Sequence, residues 1–412
     1  MSGIEERLAE LRRAGLHRRR RLIEGPQGPR VCLDGAEVLL LCSNNYLGLA
    51  DHPRVRQAAA DAAERYGAGA GASRLISGSM ELHRKLEGRL AEFEGAEAAL
   101  LFGSGYLANT GIVAALAGAG DVVFSDELNH ASIVDGCRLS RADTFVYRHR
   151  DLEHLERGLR EAGSRARLIV TDGVFSMDGD VAPLSGLVEL ARRHGCLLAV
   201  DEAHGTGALG PGGRGSVAAA GLSGEVDVII GTLGKALGGY GAYVCASAPL
   251  IDLLVNTARP LIFSTAPPPP SVGAALEALS LLASRPGLVE QLRRNGDTLR
   301  EALAAEGLEV GDSRTQIVPV IVGDPRRAMA LCERALEGGV FAQAIRPPTV
   351  PAGSSRLRLT AMANHRVDEL RAGALVIGRA ARSLGIGGGA TMPDELSRAA
   401  RPEGPAGLRR AA

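Results

Sequence analysis

A lysine, an aspartate, a histidine and a threonine stand at the ends of two short apolar runs, and together they suit covalent cofactor chemistry. The first run, Leu197 to Val200, stops at Asp201 and brings His204 three residues later; the second, Val228 to Ile230, brings Thr232 and Lys235. Short apolar runs that end in small and reactive residues read as buried parallel strands with chemistry at their C-terminal ends. Lys235 lies in GTLGKALGG, among Leu233, Ala236 and Leu237. Desolvation lowers a lysine pKa and makes the amine a nucleophile able to form a Schiff base. Asp201 suits a protonated pyridine nitrogen, which it would keep as an electron sink, and His204 suits the phenolic oxygen of such a ring. Blander roles compete, since most lysines are surface charges and a lone aspartate or histidine commonly serves structure. A Walker A phosphate loop is excluded, because Ile229 occupies the place of its first glycine and Ala236 follows the lysine.

Other segments add candidate groups. Gly103-Ser104-Gly105-Tyr106 falls between a strand and a helix, where free amides would cradle a phosphate. Thr232 and Ser264/Thr265 offer further hydroxyls. Gly67-x-Gly69-x-x-Ala72 resembles a dinucleotide fingerprint but follows a helix rather than a strand, which discounts it. His130, in DELNHASI, is equally suited to capping a helix and to stacking on a ring or moving a proton. Arg346, Arg356 and Arg358 lie in AIRPPTVPAGSSRLRLT, where at least one is expected to clamp a carboxylate in bidentate fashion.

The elements that must hold these groups follow from hydrophobic pattern. Ile4 to Arg21 reads as a helix, and Val31 to Leu33, Asp34-Gly35 and Val38 to Leu41 as a tight hairpin. Helices are expected at Pro53 to Tyr66 and Met80 to Phe93. Strands follow at Ala98 to Phe102, Val122 to Phe124, Thr144 to Tyr147, Leu168 to Thr171, Cys196 to Val200, Val226 to Ile230 and Ala242 to Cys245, most of them separated by helical stretches. That alternation predicts an α/β fold, a large mostly parallel sheet with helices on both faces. Past Pro267 to Pro270 come two long helices and then a smaller C-terminal α+β unit, with strands near Ile317 to Val322, Val340 to Ala344 and Arg356 to Thr360. The expected organisation is an N-terminal helix and hairpin segment over residues 1–50, a large domain over 51–285, a smaller domain over 286–385 and a mobile tail over 386–412.

Composition bounds the class. The 412 residues carry 47 Lys and Arg against 47 Asp and Glu, so no global charge points to nucleic acid or membrane. The Arg18 to Arg21 run is a local exception, read as a solvated helix end. Six scattered cysteines form no CxxC pair, and nine histidines show no paired ligand spacing, so no metal site is expected. Met1 to Gly15 lacks the apolar core of a signal peptide, and no apolar run approaches the ~20 residues of a membrane span. A cytoplasmic enzyme is the expectation. The 54 glycines follow no fixed period and cluster at turns instead.

Taken in order, SNNYLGL, GAGASRLISG, LFGSGYLAN, DELNHASI, TDGVFSMDGD, VDEAHGTGALG, GTLGKALGG, FST and RPPTVPAGSSRLRLT resemble the α-oxoamine synthases, pyridoxal-phosphate (PLP) enzymes of fold-type I. The likeness spans residues 18 to 385. It implies that Lys235 carries pyridoxal 5'-phosphate covalently, that Asp201 meets its pyridine nitrogen and His204 its ring hydroxyl, and that His130 stacks over the ring. It implies that Gly105, Tyr106, Ser176 and Thr232 help hold the phosphate, with Ser264/Thr265 reaching across a homodimer interface. Asn44 and Arg358 would bind the amino-acid carboxylate, while Arg18, with Arg20 as its rival, and Thr349 would meet the acyl substrate.

Within the family, AIRPPTVP and GSGYLAN look like the branch that makes 8-amino-7-oxononanoate for biotin. The implied reaction joins L-alanine to a pimeloyl thioester, on coenzyme A or an acyl carrier protein, with loss of CO2 and free thiol. A related condensation from glycine or serine with another acyl-CoA, such as the 2-amino-3-oxobutyrate ligase reaction, is the near alternative. An inactive binding protein that keeps the fold is the distant one.

Overall fold

The computed structural model describes residues 2–387 and 408–409. Two compact units emerge among the described residues: one takes residues 2–48, Met177–Asp180 and residues 291–387, the other Leu49–Ser176, Val181–Glu290 and residues 408–409. The N-terminal segment that the sequence set apart thus falls in the smaller unit, and the boundary near residue 285 moves into the helix Gly287–Ala305. The first helix covers only Ser2–Arg13. It ends at Gly15, whose φ of 68° is left-handed, so the expected continuation to Arg21 is corrected. Arg346 shows why: its guanidinium takes the carbonyls of Gly15 and His17, which a continuing helix would need as acceptors. The strands β1 (Ile23–Glu24), β2 (Arg30–Leu33) and β3 (Ala36–Leu40) follow. The β2–β3 hairpin turns on Asp34 and Gly35 at φ of 49° and 83°, the two positive angles of a type I′ turn.

The larger unit is built on β4 (Ala98–Phe102), β5 (Val122–Asp126), β6 (Asp143–Tyr147), β7 (Ala166–Asp172), β8 (Leu197–Asp201), β9 (Val228–Thr232) and β10 (Ala242–Ala246). Their order is β6-β5-β7-β8-β9-β10-β4, with β5 to β9 mutually parallel and β10 antiparallel to both neighbours. The sheet is mostly parallel, as expected. Its central strands are Val, Ile, Leu and Ala runs buried on both faces, and each Val, Ile or Leu side chain contributes about 1.5–3 kcal/mol by leaving water. Helices Gly105–Leu116, Ala131–Ser140, Leu152–Ala162 and Leu184–His194 alternate with the strands. Residues capable of capping stand where the chain enters them: Ser104, His130 and Asp151 each accept a main-chain N–H of the first turn. One glycine is required by close approach, since a Cβ on Gly231 would lie 2.1 Å from the Tyr243 ring on the adjacent strand.

In the smaller unit, β11 (Ile317–Gly323), β12 (Val340–Phe341), β13 (Gln343–Ile345) and β14 (Ser355–Thr360) do not form one sheet. β12 lies parallel to β3, whereas β13 and β11 flank β14. The single strand expected over Val340 to Ala344 is therefore split at Ala342, a fully buried small residue that lets the chain pass between sheets. The core gathers Leu299, Leu303, Val318, Leu331, Leu357 and Ile377. Ile386 is buried against it, so the expected mobile tail does not begin there. Leu408–Arg409 forms β15 beside β6, and the rest of that tail lies outside the described residues. No single helix among the described residues is long and apolar enough to cross a membrane.

Candidate active site

Because β5, β7, β8 and β9 run parallel, their last residues, Asp126, Asp172, Asp201 and Thr232, gather at one edge of the sheet. Asp172 and Asp201 are direct partners in register, and both are buried. Neighbouring strands lie about 4.8 Å apart, and two carboxylates at about that separation repel by about 3 kcal/mol at an effective dielectric of about 20, or roughly two pK units. Both cannot ionise. Burial, and then the Asp201 charge, hold the Asp172 carboxyl well above its ordinary range, so Asp172 keeps the proton. Asp201 accepts the Asn109 Nδ2 donor at 2.6 Å and the Ala203 amide at 2.8 Å.

The sign of the consequence is fixed. A carboxyl whose folded pKa is raised stabilises fully below its unfolded pKa of about 3.9, and that contribution is lost as pH rises through the folded value. Asp172→Asn has no proton to hold, and its amide oxygen still accepts from the His130 N–H that Asp172 takes at 2.8 Å. Urea unfolding at about pH 5 and about pH 8 is expected to show the variant gaining on the native protein at the higher pH. A loss of equal size at both pH values would mean that Asp172 is ionised.

His130 takes up the capping role that its sequence position allowed. It is the N-cap of Ala131–Ser140, with Nδ1 accepting the Ser132 amide at 3.3 Å, and its ring lies within the electrostatic reach of Asp201 and Lys235. Burial lowers its pKa first, Asp201 opposes and Lys235 adds to the lowering, which favours the neutral ring. Lys235 Nζ lies 2.7 Å from His204 Nε2 on a half-buried side chain anchored by the buried Leu233, Ala236 and Leu237. The chain has only two lysines, and the other, Lys85, is exposed on the helix Glu81–Glu94.

At the start of Gly105–Leu116, the Ser104 hydroxyl takes the Leu107 amide at 3.3 Å, and Gly105 and Tyr106 supply the first two amides, which have no acceptor within a helix. A Cβ placed on Gly105 would meet no atom within 4 Å, so space for an anion stays open there. The Tyr106 side chain is turned to Asp135 by a hydrogen bond from its hydroxyl. Thr232 Oγ1 donates to Gly241 O at 3.2 Å and accepts the Gly234 amide at 3.2 Å. Ser176 is half-buried in the turn after β7, and Thr265 is exposed beside Ser73, with which it forms a β-bridge. A buried carboxylate, a lysine amine and a helix N-terminus capped by a small residue form the set of groups that pyridoxal phosphate requires, so these residues fit that group.

In the smaller unit the three arginines separate. Arg356 is engaged by Asp178, and Arg346 by the Gly15 and His17 carbonyls. Arg358, buried on β14, donates to two neutral oxygens, Asn44 Oδ1 and Tyr46 Oη, each at 3.2 Å. Arg18 is exposed and reaches Pro347 O at 3.3 Å, Arg20 is exposed, and so is Thr349, whose amide bonds Arg346 O at 3.1 Å. Sequence reasoning missed Asn109, Asp172, Tyr46 and Glu202. Asn109 and Asp172 lay inside quoted motifs, yet their partners are 92 and 42 residues away, beyond any local spacing signal.

A family model for class I and II aminotransferases matches residues 36–377 of this chain. The chain belongs to that family. Among these aminotransferase-family proteins, the 8-amino-7-oxononanoate synthase of Geobacter sulfurreducens is 56% identical over 386 residues, covering 93% of this chain and 99% of the relative. A serine palmitoyltransferase from S. paucimobilis, solved with a bound PLP–myriocin aldimine, superposes with a TM-score of 0.88 at 33% identity, covering 93% of this chain and 98% of that one. The 8-amino-7-oxononanoate synthase of Francisella tularensis gives a TM-score of 0.74 at 28% identity over 85% of this chain and 99% of its own. The family assignment and these superpositions agree with the expected fold-type I architecture.

Proposed function

We propose that this chain binds pyridoxal 5'-phosphate and condenses L-alanine with a pimeloyl thioester to give 8-amino-7-oxononanoate, CO2 and free thiol. The observation that carries the choice of substrates is the 56% identity with a relative of that name along nearly the whole chain, against 33% for the serine palmitoyltransferase. Bound at this site, the cofactor would supply a protonated ring able to take up the electron pair left at the alanine α-carbon. The buried Asp201 would hold a proton on the ring nitrogen. Lys235 holds the cofactor and, once released, its Nζ takes the α-proton, with His204 Nε2 beside it to orient the amine. His130, neutral, covers the ring face, and His204 faces the ring hydroxyl. The amides of Gly105 and Tyr106, with Ser176 and Thr232, receive the phosphate.

Arg358 with Asn44 binds the alanine carboxylate, and Arg18, or its rival Arg20, with Thr349 receives the acyl chain. The exposed Leu75, Ile76 and Phe263 flank the Ser73–Thr265 bridge, and a second copy of the chain covers this apolar patch, bringing Thr265 to the partner's phosphate. Product analysis tests the substrates: alanine, glycine and serine are crossed with pimeloyl and short acyl thioesters, on coenzyme A and on carrier protein. Alanine with pimeloyl is expected to exceed each other pair by at least about tenfold in kcat/KM. A preference for glycine with a short acyl group would transfer the chain to the 2-amino-3-oxobutyrate ligase reaction.

A further inference from the structure

Between Asp201 and His204 stands Glu202, whose carboxylate binds Ser216 and Val217 and takes no part in the proposed chemistry. It is fully buried. Its main chain closes the turn: the N–H donates to Ile230 O at 2.7 Å, and the carbonyl accepts the Gly205 and Thr206 amides at 2.9 and 2.8 Å. Its carboxylate accepts the Ser216 amide at 2.9 Å, the Ser216 hydroxyl at 2.8 Å and the Val217 amide at 2.7 Å. Backbone without side chains walls this carboxylate in. A Cβ on Gly205 would lie 1.8 Å from Oε2, one on Gly215 2.6 Å from the carboxylate, and one on Gly173 2.4 Å from Ser216 Oγ. Glu202 thus ties the segment 201–206 to the segment 215–217 through a cage that admits no larger residue.

The far end of the same turn is tied separately. Thr206 Oγ1 lies 3.0 Å from Tyr243 Oη, which donates to the buried Glu94 at 2.6 Å. Four residues, from Asp201 to His204, carry both side chains expected to face the cofactor ring, and the carboxylate of Glu202 anchors that stretch to Ser216 and Val217. We propose that Glu202 is a positioning residue, whose hydrogen bonds to Ser216 and Val217 set where His204 meets Lys235 and where Asp201 presents its charge. The inference rests on the reading given under Proposed function. All three hydrogen-bonding neighbours of the carboxylate are donors. A glutamine here must aim its amide group at the Ser216 N–H or at the Val217 N–H, and two donors then collide.

Glu202→Gln and the milder Ser216→Ala, which removes one donor and keeps the carboxylate, are compared with the native protein. Each is saturated with pyridoxal phosphate and assayed per bound cofactor. For Glu202→Gln, kcat is expected to fall by about tenfold, the size of one mismatched buried hydrogen bond, with KM for alanine within about twofold. The pH midpoint of the cofactor's visible absorption is expected to shift, and Ser216→Ala to shift it less in the same direction. Hydrogen exchange of the 203–207 amides in cofactor-free protein is expected to quicken in Glu202→Gln. A role confined to general stability would lower the melting temperature but leave the absorption midpoint and kcat per bound cofactor unchanged, and that result overturns the proposal. If Glu202→Gln does not fold, Ser216→Ala decides on the same readouts. If the native protein takes up no cofactor, the underlying reading fails, and the exchange rates of the turn alone decide for or against Glu202.

Discussion

Lys235→Ala protein, mixed with pyridoxal phosphate and reduced with borohydride, is expected to release all of its cofactor on denaturation, whereas native protein retains one equivalent on the peptide that contains Lys235. Turnover is expected to fall roughly a thousandfold or more, since the substitution removes both the covalent anchor and the base that takes the α-proton. The fold should survive. The chain around residue 235 is held by Leu233, Ala236 and Leu237, each at most 2% exposed, and the half-buried Lys235 amine contributes little to that packing. An unfolding free energy within about 1 kcal/mol of native is therefore expected. Mass spectrometry of the reduced peptide settles the assignment, because the only other lysine, Lys85, lies in a separate peptide. Cofactor fixed to Lys85 in the native protein, or to any site in the variant, would remove Lys235 from the centre of the mechanism.

Asp201→Ala should give folded, cofactor-binding protein that is slowed roughly a hundred- to a thousandfold. The loss falls on the step that needs a protonated ring nitrogen, so the direct measurement is exchange of the alanine α-proton with deuterated solvent, followed by NMR without any acyl donor. Two effects on stability oppose each other. The variant leaves the Asn109 amide without its 2.6 Å acceptor, yet it also removes the charge that crowds Asp172. The small net change lets the exchange experiment report chemistry rather than unfolding. Exchange at near-native rate would show that something other than Asp201 keeps the ring protonated.

The strand ends were legible because a strand buried on both faces must be almost wholly apolar, and any polar residue that terminates it stands out. Asp201, Thr232 and Lys235 are visible for that reason, and so are seven of the eight strands of the large sheet, within a few residues at their ends. What stayed hidden is carried by contacts between distant parts of the chain. Nothing near Arg18 to Arg21 announces that Arg346 will take the carbonyls of Gly15 and His17 and end the first helix early. Nothing in VFAQAI shows that Ala342 separates two sheets. The pairing of Asp172 with Asp201 is a matter of register between parallel strands, so the suppressed charge on Asp172 emerges only once β7 and β8 lie side by side.

The scarcity of lysine has a chemical consequence of its own. Pyridoxal phosphate is an aldehyde, and on most protein surfaces it condenses reversibly with exposed amines, which dilutes the productive adduct among many idle ones. Here 45 of the 47 basic side chains are arginine, whose guanidinium stays protonated and does not compete. With Lys85 and the α-amino group as the only rivals, Lys235 is selected partly by its pocket and partly by the near absence of other primary amines. The same scarcity makes the protein a clean substrate for amine-directed labelling: once the cofactor is in place, a reagent that reacts with primary amines has almost nowhere else to go.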